Sequence, residues 1–535
     1  MDRKKLSVLI LLASAQFILT LDSTFMNVSI STLVRDLHTS VTAIQGAIAF
    51  YSLVMASLMI AGAKIGDIIG RKKAFIIGLI IYGIGSLITS LSWNVTVLVF
   101  GWSFLEGIGA ALIMPALFSI VVANFGEGKE RVKAYGVLAA MAASGAALGP
   151  IIGGFLTAFV SWRIGFLAEV FVVLAILLNH KKIKDAVINL VNKKFDYVGL
   201  LLSALGMFTI VSGILMANTY GIITARKTFS IAGKTLISPN QISPTIWFAL
   251  LGIGILAIFI GWEVYRTRKN KAVLLNPKIL KNKSVTYGII TTLAIQFVMA
   301  GTIFSISIVS QIILEYDAFQ AGLVLLPLSL AVLVIAFLVG RIAAKHQPKG
   351  IVQFGIFLIL LGAALIGILL YRHPSSLAFL PGLVLIGAGV GMGASMLSNL
   401  IISSVPTEGT SEASGLNSTF LNLGASLGTA IAGSLILGVF IGSSVNLINE
   451  SSVFTSAQKT ELTQKIEANG QTLSNTQLDQ YLTSAPSAIK DELLSINTTA
   501  ENNATSASIL SLALLGCVGL ASASLLPKAK TSQKT

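Results

Sequence analysis

The chain has 535 residues, of which 54% are hydrophobic and only 11% charged, with a mean hydropathy of +0.85. A soluble protein carries about 25% charged residues, so the composition excludes a water-soluble globular domain and makes lipid the solvent for most of the chain. The formal net charge of +15 points to nucleic acid at first sight. Threaded from an inside N-terminus, however, the Lys and Arg residues gather in the loops on one side, a positive-inside pattern that needs no acidic partner.

Asp2-Arg3-Lys4-Lys5 precedes an apolar run near 6–28 with no clean small-x-small cleavage site, so the chain opens on an uncleaved membrane helix. Further apolar segments follow near 43–61, 74–92, 95–121, 135–159, 162–179, 196–217, 245–264, 285–312, 319–340, 351–371, 377–404, 412–442 and 506–526. Most approach the roughly 20 residues that span a bilayer as helix. The expected fold class is therefore an all-α polytopic membrane protein with fourteen transmembrane helices, in the cell membrane, both termini cytoplasmic. The single cysteine, Cys517, excludes a disulfide framework and a metal-thiolate cluster.

Between segments 2 and 3 lies a tight basic turn, Gly62-Ala-Lys-Ile-Gly66-Asp67-Ile-Ile-Gly70-Arg71-Lys72-Lys73. Its three glycines are expected to let the chain reverse, and Asp67 to sit before a helix whose dipole favours an anion. Segment 5 carries Gly145-Ala-Ala-Leu-Gly149-Pro150-Ile-Ile-Gly153-Gly154, where Gly-x-x-x-Gly permits close helix approach and Pro150 bends the helix. The inner turn is echoed at Gly340–Gly350, and Gly145, Gly149 and Gly154 by Gly424, Gly428 and Gly433, at nearly one offset of about 280 residues. A parallel repeat follows: residues 1–180 form one six-helix half, 181–284 an inserted linker with two helices and a hairpin-like loop, and 285–535 the second half. The polar outer loop 443–505 reads as a solvated cap or linker, with a role in substrate capture as the alternative, and has helical spacing at Leu462 and Ile466 and again from Ile489 to Leu494.

Acidic residues inside apolar segments are the main functional lead, because placing one near the bilayer centre costs about 2.5–3.5 kcal/mol. At about 1.5 Å per residue, Asp22 lies roughly 24 Å up segment 1 and Glu106 roughly 16 Å into segment 4, while Glu169 is roughly 10 Å from the outer end of segment 6, within reach of outer water. Glu106 has no Lys or Arg within a helical turn. A carboxyl group desolvated without a cation favours its neutral form and can load and release a proton. Glu263, three residues before Arg266, reads as half of a surface ion pair.

The segment 5 string, the inner turn and Leu21-Asp22-Ser-Thr-Phe-Met-Asn27 together resemble the fourteen-helix drug:proton antiporters of the EmrB/QacA type, in the major facilitator superfamily. The resemblance implies that Gly62, Gly66, Asp67, Gly70, Arg71 and Lys72 form an inner gate motif, that the segment 5 motif packs against the opposite half, and that the segment 1 acid serves coupling or cation binding. It also implies a central cavity lined by Asn27, Met114, Gln296, Met392, Met396 and Asn399. Two departures stand out. Ile68 replaces a commonly basic residue, and Ser103 stands where an arginine is usual, which leaves Glu106 as the candidate proton carrier.

No phosphate-binding loop, metal cluster or nucleophile elbow marks an enzyme. The expected activity is proton-coupled export of lipophilic, cationic compounds by alternating access, with import of a small nutrient or a non-transporting sensor as alternatives. Asp22, Glu106 and Glu169 carry proton coupling in that reading. No cofactor beyond the proton and no metal is expected. The expected partners are small lipophilic substrates and the bilayer, with no nucleic acid and a monomeric state.

Overall fold

The computed structural model describes all residues except 1–2, 127–128, 186–194, 232–233, 344–346, 373–375, 407–408, 470–475, 477, 480–481, 483–485 and 528–535. The first half comprises α1 (Arg3–Phe25), α2 (Val41–Ile69), α3 (Arg71–Ser90), α4 (Val95–Asn124), α5 (Lys129–Phe159) and α6 (Trp162–Leu178). Next come α7 (Tyr197–Tyr220) and α8 (Pro244–Arg268), which pack on one another. The second half holds α9 (Lys283–Ile308, prolonged by a π segment Val309–Ile313), α10 (Ala318–Ala343), α11 (Pro348–Arg372), α12 (Ser376–Ser403), α13 (Thr410–Glu450) and α14 (Ser487–Ser524). Twelve helices are long and apolar enough to cross a membrane, or up to thirteen with the bent α5 counted as one span, among the described residues. The expected fourteenth, α6, has 17 residues, at the short limit for a span.

Proline chemistry explains the bend. The two parts of α5, Gly136–Ala146 and Leu148–Phe159, meet at 41°. Pro150 cannot donate to the carbonyl of Ala146 and its ring crowds that carbonyl, so the helix yields there.

The glycine repeat has a direct structural counterpart. A methyl group at Gly145 or Gly149 would overlap Thr20, Thr24 and the carbonyls of Phe17 and Leu21 on α1. In the second half, Gly424 and Gly428 meet the backbone of Leu293 and Phe297 on α9 in the same way. The third member of each set crosses to the other half: Gly154 meets Ala318 and Phe319 of α10, and Gly433 meets Gln45 of α2. Residues 344–346 of the echoed turn lie outside the described residues.

At the end of the bundle opposite the basic turn, the halves are joined by side-chain amides. Gln45 Nε2 donates to the carbonyls of Thr429 and Ala430, at 3.0 and 3.1 Å. Gln311 Nε2 donates to the Asn27 carbonyl at 3.0 Å, while its Oε1 accepts from Ser31 N at 2.9 Å.

Two loops depart from bare coil. Phe229–Ile231 and Lys234–Ile237 pair antiparallel as the hairpin expected between α7 and α8. The segments read as 412–442 and 506–526 are longer helices: α13 runs to Glu450 and α14 starts at Ser487. Their extensions persist because Ile448, Phe454 and Ile496 bury one another beneath Leu462, Ile466, Ile489 and Leu493, a small apolar cluster that the polar composition of 443–505 concealed.

Filling the glycine contact between the halves should cost about 1–3 kcal/mol through overpacking. Gly154→Leu is expected to lower the melting temperature of the purified protein in detergent. Gly254→Ala, where an added methyl meets nothing within 4 Å, should leave it unchanged.

Candidate functional site

Three acids that lie far apart in sequence share one buried place. One carboxylate oxygen each from Asp22 (α1), Glu106 (α4) and Glu169 (α6) falls within 4.8 Å of the others. Their exposures are 0%, 0% and 5%, so Glu169 does not reach outer water as its position near a helix end implied. Tyr82 and Ser86 of α3 cover it instead, each donating a hydroxyl to Glu169 Oε2 at 3.0 Å.

Local backbone geometry creates this meeting. α4 runs regularly over Val95–Leu98, widens into a π segment at Val99–Glu106, then resumes as Gly107–Asn124. A π turn carries an extra residue and re-aims the side chains along it, a feature frequent at functional sites. It sends the indole of Trp102 to Asp22, with Nε1 2.9 and 3.0 Å from the two carboxylate oxygens. Glu106 closes the segment and accepts from Thr89 Oγ1 at 3.3 Å. Its other oxygen, Oε2, is buried without a hydrogen-bond partner. Tyr51 of α2 stacks on Trp102 at 5.0 Å and 11°, which sets the indole plane.

Sequence reading did not single out Tyr51, Tyr82, Ser86, Thr89 or Trp102. A signal existed. Tyr82, Ser86 and Thr89 stand at i, i+4 and i+7 of an apolar helix, one polar stripe at helical period.

Among the described residues no Lys, Arg or His pairs with any of the three acids. Two bare charges 4.8 Å apart repel by about 3.5 kcal/mol even at an effective dielectric constant of about 20. The cluster therefore holds its charge only with a compensating cation, whether a proton or another ion.

The six residues expected to line a central cavity are scattered. Asn27 is buried at the seam, where its carbonyl receives Gln311. Met114 and Met396 pack, half-buried, against the main core. Met392 faces Gly355 of α11, and Asn399 is exposed. Gln296 borders a cavity of about 20 Å³ with Thr292, Ser398 and Leu421. A second cavity, of about 40 Å³, lies between the halves beside Gln45, Phe304 and Gly433. Neither approaches the roughly 300 Å³ of a drug-sized site.

A family model for the Major Facilitator Superfamily matches residues 12–429. The chain belongs to the major facilitator superfamily. It is a multi-pass membrane transporter and not an enzyme. Among its relatives, the multidrug resistance protein Stp of Mycobacterium tuberculosis is 26% identical over 436 residues, covering 82% of this chain and 76% of the relative. The multidrug efflux pump LfrA of Mycolicibacterium smegmatis is 26% identical and covers 81% of each chain. The riboflavin transporter RibZ of Clostridioides difficile is 27% identical, covering 80% of this chain and 87% of the relative. Among solved structures, a bacterial homolog of the human lysosomal transporter Spinster, in an inward-facing and unoccupied conformation, aligns with a TM-score of 0.57 at 13% identity, covering 98% of both chains. The peptide transporter POT in complex with sulfate gives 0.58 at 12% identity, covering 96% of this chain and 94% of that one. At such identities these likenesses show the fold.

The inner turn of this superfamily member works differently from its sequence reading. α2 continues through Asp67 to Ile69, so Asp67 lies in the last turn of α2 and not before the next helix. Only Gly70 takes a positive φ, +101°, where the chain reverses. Gly62 instead lies against the Ala111 carbonyl of α4, and Gly66 lies beneath the Arg71 side chain. Arg71 pairs with Asp67, and its Nη1 donates to the Ala63 carbonyl at 3.0 Å, tying α3 back to α2. The anion at the start of α3 is Asp185, from beyond α6, which accepts from Lys72 N at 3.0 Å. Lys72 Nζ donates to the Ile183 carbonyl at 2.7 Å.

The segment 5 motif divides its work. Gly145 and Gly149 seat α1, Gly153 faces Phe25, and Gly154 meets α10 of the other half, while the Pro150 carbonyl lies against Gly322. Ser103 is fully buried and donates to the Ala47 carbonyl of α2 at 2.9 Å, so the helix contact there has no room for an arginine.

Glu263 is not half of a surface pair. Arg266 pairs with Asp196 at 3.1 Å, while Glu263 is fully buried and accepts from Leu274 N at 3.2 Å. The chain folds back after α8 and delivers a backbone donor that sequence spacing does not reveal. Nearer the basic end, Lys5 Nζ lies 2.6 Å from Glu130 Oε2, and this hydrogen bond holds the half-buried Glu130 carboxyl below its usual range.

Hydrogen bonds to a charged group are worth about 1.5–3 kcal/mol each. Removing both donors to Glu169 with Tyr82→Phe and Ser86→Ala is expected to slow transport by about tenfold or more. Flux per reconstituted protein measures this, with the melting temperature as a check on folding.

Proposed function

We propose that this transporter is a proton-coupled antiporter that exports lipophilic, cationic compounds by alternating access. It works in the cell membrane with both termini cytoplasmic, as a monomer. The observation that carries the reading is the burial of Asp22, Glu106 and Glu169 together without a cationic side chain. Such a site retains charge only when a cation accompanies it, and a proton is the cation that needs no cavity. Two relatives, named a multidrug resistance protein and a multidrug efflux pump, support export.

The packing supports the following cycle. With the halves closed, the acids are sealed beneath Trp102 and Tyr82, and the Gln45 and Gln311 amides hold the end opposite the basic turn. Rocking the halves apart at that end breaks four hydrogen bonds to Thr429, Ala430, Asn27 and Ser31. It exposes α1 and α4, and with them a route to the acids. A proton taken up there and released on the other side drives the substrate the opposite way. One-for-one exchange of a proton for a singly charged cation moves no net charge, so the pH difference drives it: one pH unit supplies about 1.4 kcal/mol, roughly a tenfold substrate gradient.

The test is flux of ethidium in proteoliposomes under an imposed pH gradient, comparing the unaltered protein with Glu106→Gln. Gradient-driven flux is expected in the first and a fall to the level of empty liposomes in the second. Equal flux in both would refute Glu106 as the coupling site. A second reading, uptake of a small nutrient, is favoured by the relative named a riboflavin transporter. Riboflavin accumulating inside intact cells above the outside concentration, with no ethidium flux, would favour it over export.

A further inference from the structure

We propose that the cluster formed by Asp22, Glu106 and Glu169 binds a small hard inorganic cation, sodium, directly through oxygen. The inference shares its cluster with the coupling reading above but not the substrate or the direction of transport. One oxygen from each acid lies within 4.8 Å of the others. A triangle of that size has its centre within about 2.8 Å of each corner, close to the roughly 2.3–2.6 Å at which oxygens hold calcium, an ion of similar radius. A closure of a few tenths of an ångström brings all three into contact with one ion.

A second observation points to a missing positive partner. Glu106 is fully buried, its Oε1 accepts from Thr89, and its Oε2 accepts from nothing. A buried carboxylate oxygen left without a donor is costly, and a cation between the acids would relieve it. The Tyr82 and Ser86 hydroxyls, 3.0 Å from Glu169 Oε2, add neutral oxygens beside it.

Donor type and number select the ion. Every candidate ligand is oxygen, which suits alkali and alkaline-earth cations over transition metals. Calcium takes six to eight oxygens, whereas both oxygens of Asp22 already serve Trp102 and Glu169 Oε2 already takes two donors. A singly charged ion, cheaper to dehydrate, fits this smaller set. The titratable groups at the cluster are Asp22 from α1, Tyr51 from α2, Tyr82 from α3, Glu106 from α4 and Glu169 from α6. Protons and sodium therefore compete for the same carboxylates.

Trp102 supplies the readout, because its indole is hydrogen-bonded to Asp22. The full-length protein in detergent would be titrated with sodium chloride against choline chloride at constant ionic strength and pH 8, following tryptophan emission. A saturable change with sodium, absent with choline, is expected. It should move to at least tenfold higher sodium at pH 6 and disappear in Glu106→Gln. No sodium-dependent change, or the same curve in Glu106→Gln, overturns the proposal, and a response to calcium but not sodium overturns the choice of ion. If Glu106→Gln does not fold, Glu169→Gln carries the test, with at least a tenfold loss of sodium affinity expected. Ethidium flux under a pH gradient in sodium-free liposomes separates the two readings. Flux without sodium binding leaves proton coupling standing and removes the sodium site, and sodium binding without flux does the reverse.

Discussion

Close approach of helix backbones at glycine is the constraint on which the rest of this structure depends. In lipid the apolar faces of two helices gain little from meeting one another, since hydrocarbon solvates them equally well. Association then rests on van der Waals contact, and glycine brings whole backbones within its range. Here the device appears at every decisive crossing. α5 seats α1 at Gly145 and Gly149, α13 seats α9 at Gly424 and Gly428, and the halves meet at Gly154 and Gly433.

The same device builds the acidic site. A methyl at Gly85 of α3 would collide with Glu106 Cγ and the Gly101 carbonyl, and one at Gly101 with the backbone and hydroxyl of Thr89. Because α3 and α4 are this close, Thr89 reaches Glu106, while Tyr82 and Ser86 reach Glu169 where Gly83 of α3 packs against Val173 of α6. The π segment of α4 completes the arrangement by turning Trp102 and Glu106 toward α1 and α3. The price of three buried acids is thus met by a shell of hydroxyls and one indole, with no basic residue among the described partners.

The two halves share a scaffold without sharing chemistry. Their glycine contacts repeat, yet all three of these acids belong to the first half, where α1, α4 and α6 converge. At the α9 contact that answers the α1 contact, Phe297 and its neighbour Val298 pack as apolar residues. The glycine contacts are duplicated, and the cluster of Asp22, Glu106 and Glu169 is not. Between them, the Gln45 and Gln311 amides bind backbone groups rather than side chains, so the seam is held by geometry common to any residue at those partners.

Much of this protein was legible in its sequence. Composition and segment length establish a polytopic helical membrane protein, because a span needs its own run of apolar residues. The glycine and proline spacing of α5 foretells a bent, closely packed helix, because those residues act through local backbone chemistry. The cost of an acid in lipid marks Asp22, Glu106 and Glu169 one by one. Their meeting was not legible, since their distance depends on how α1, α3, α4 and α6 cross and on a π turn with no simple sequence signature. The same holds for Asp185 at the start of α3, for Glu263 paired with a backbone amide instead of Arg266, and for the extensions of α13 and α14. Sequence spacing reports neighbours along one helix; partners from another element are chosen only when the tertiary structure brings their backbones together.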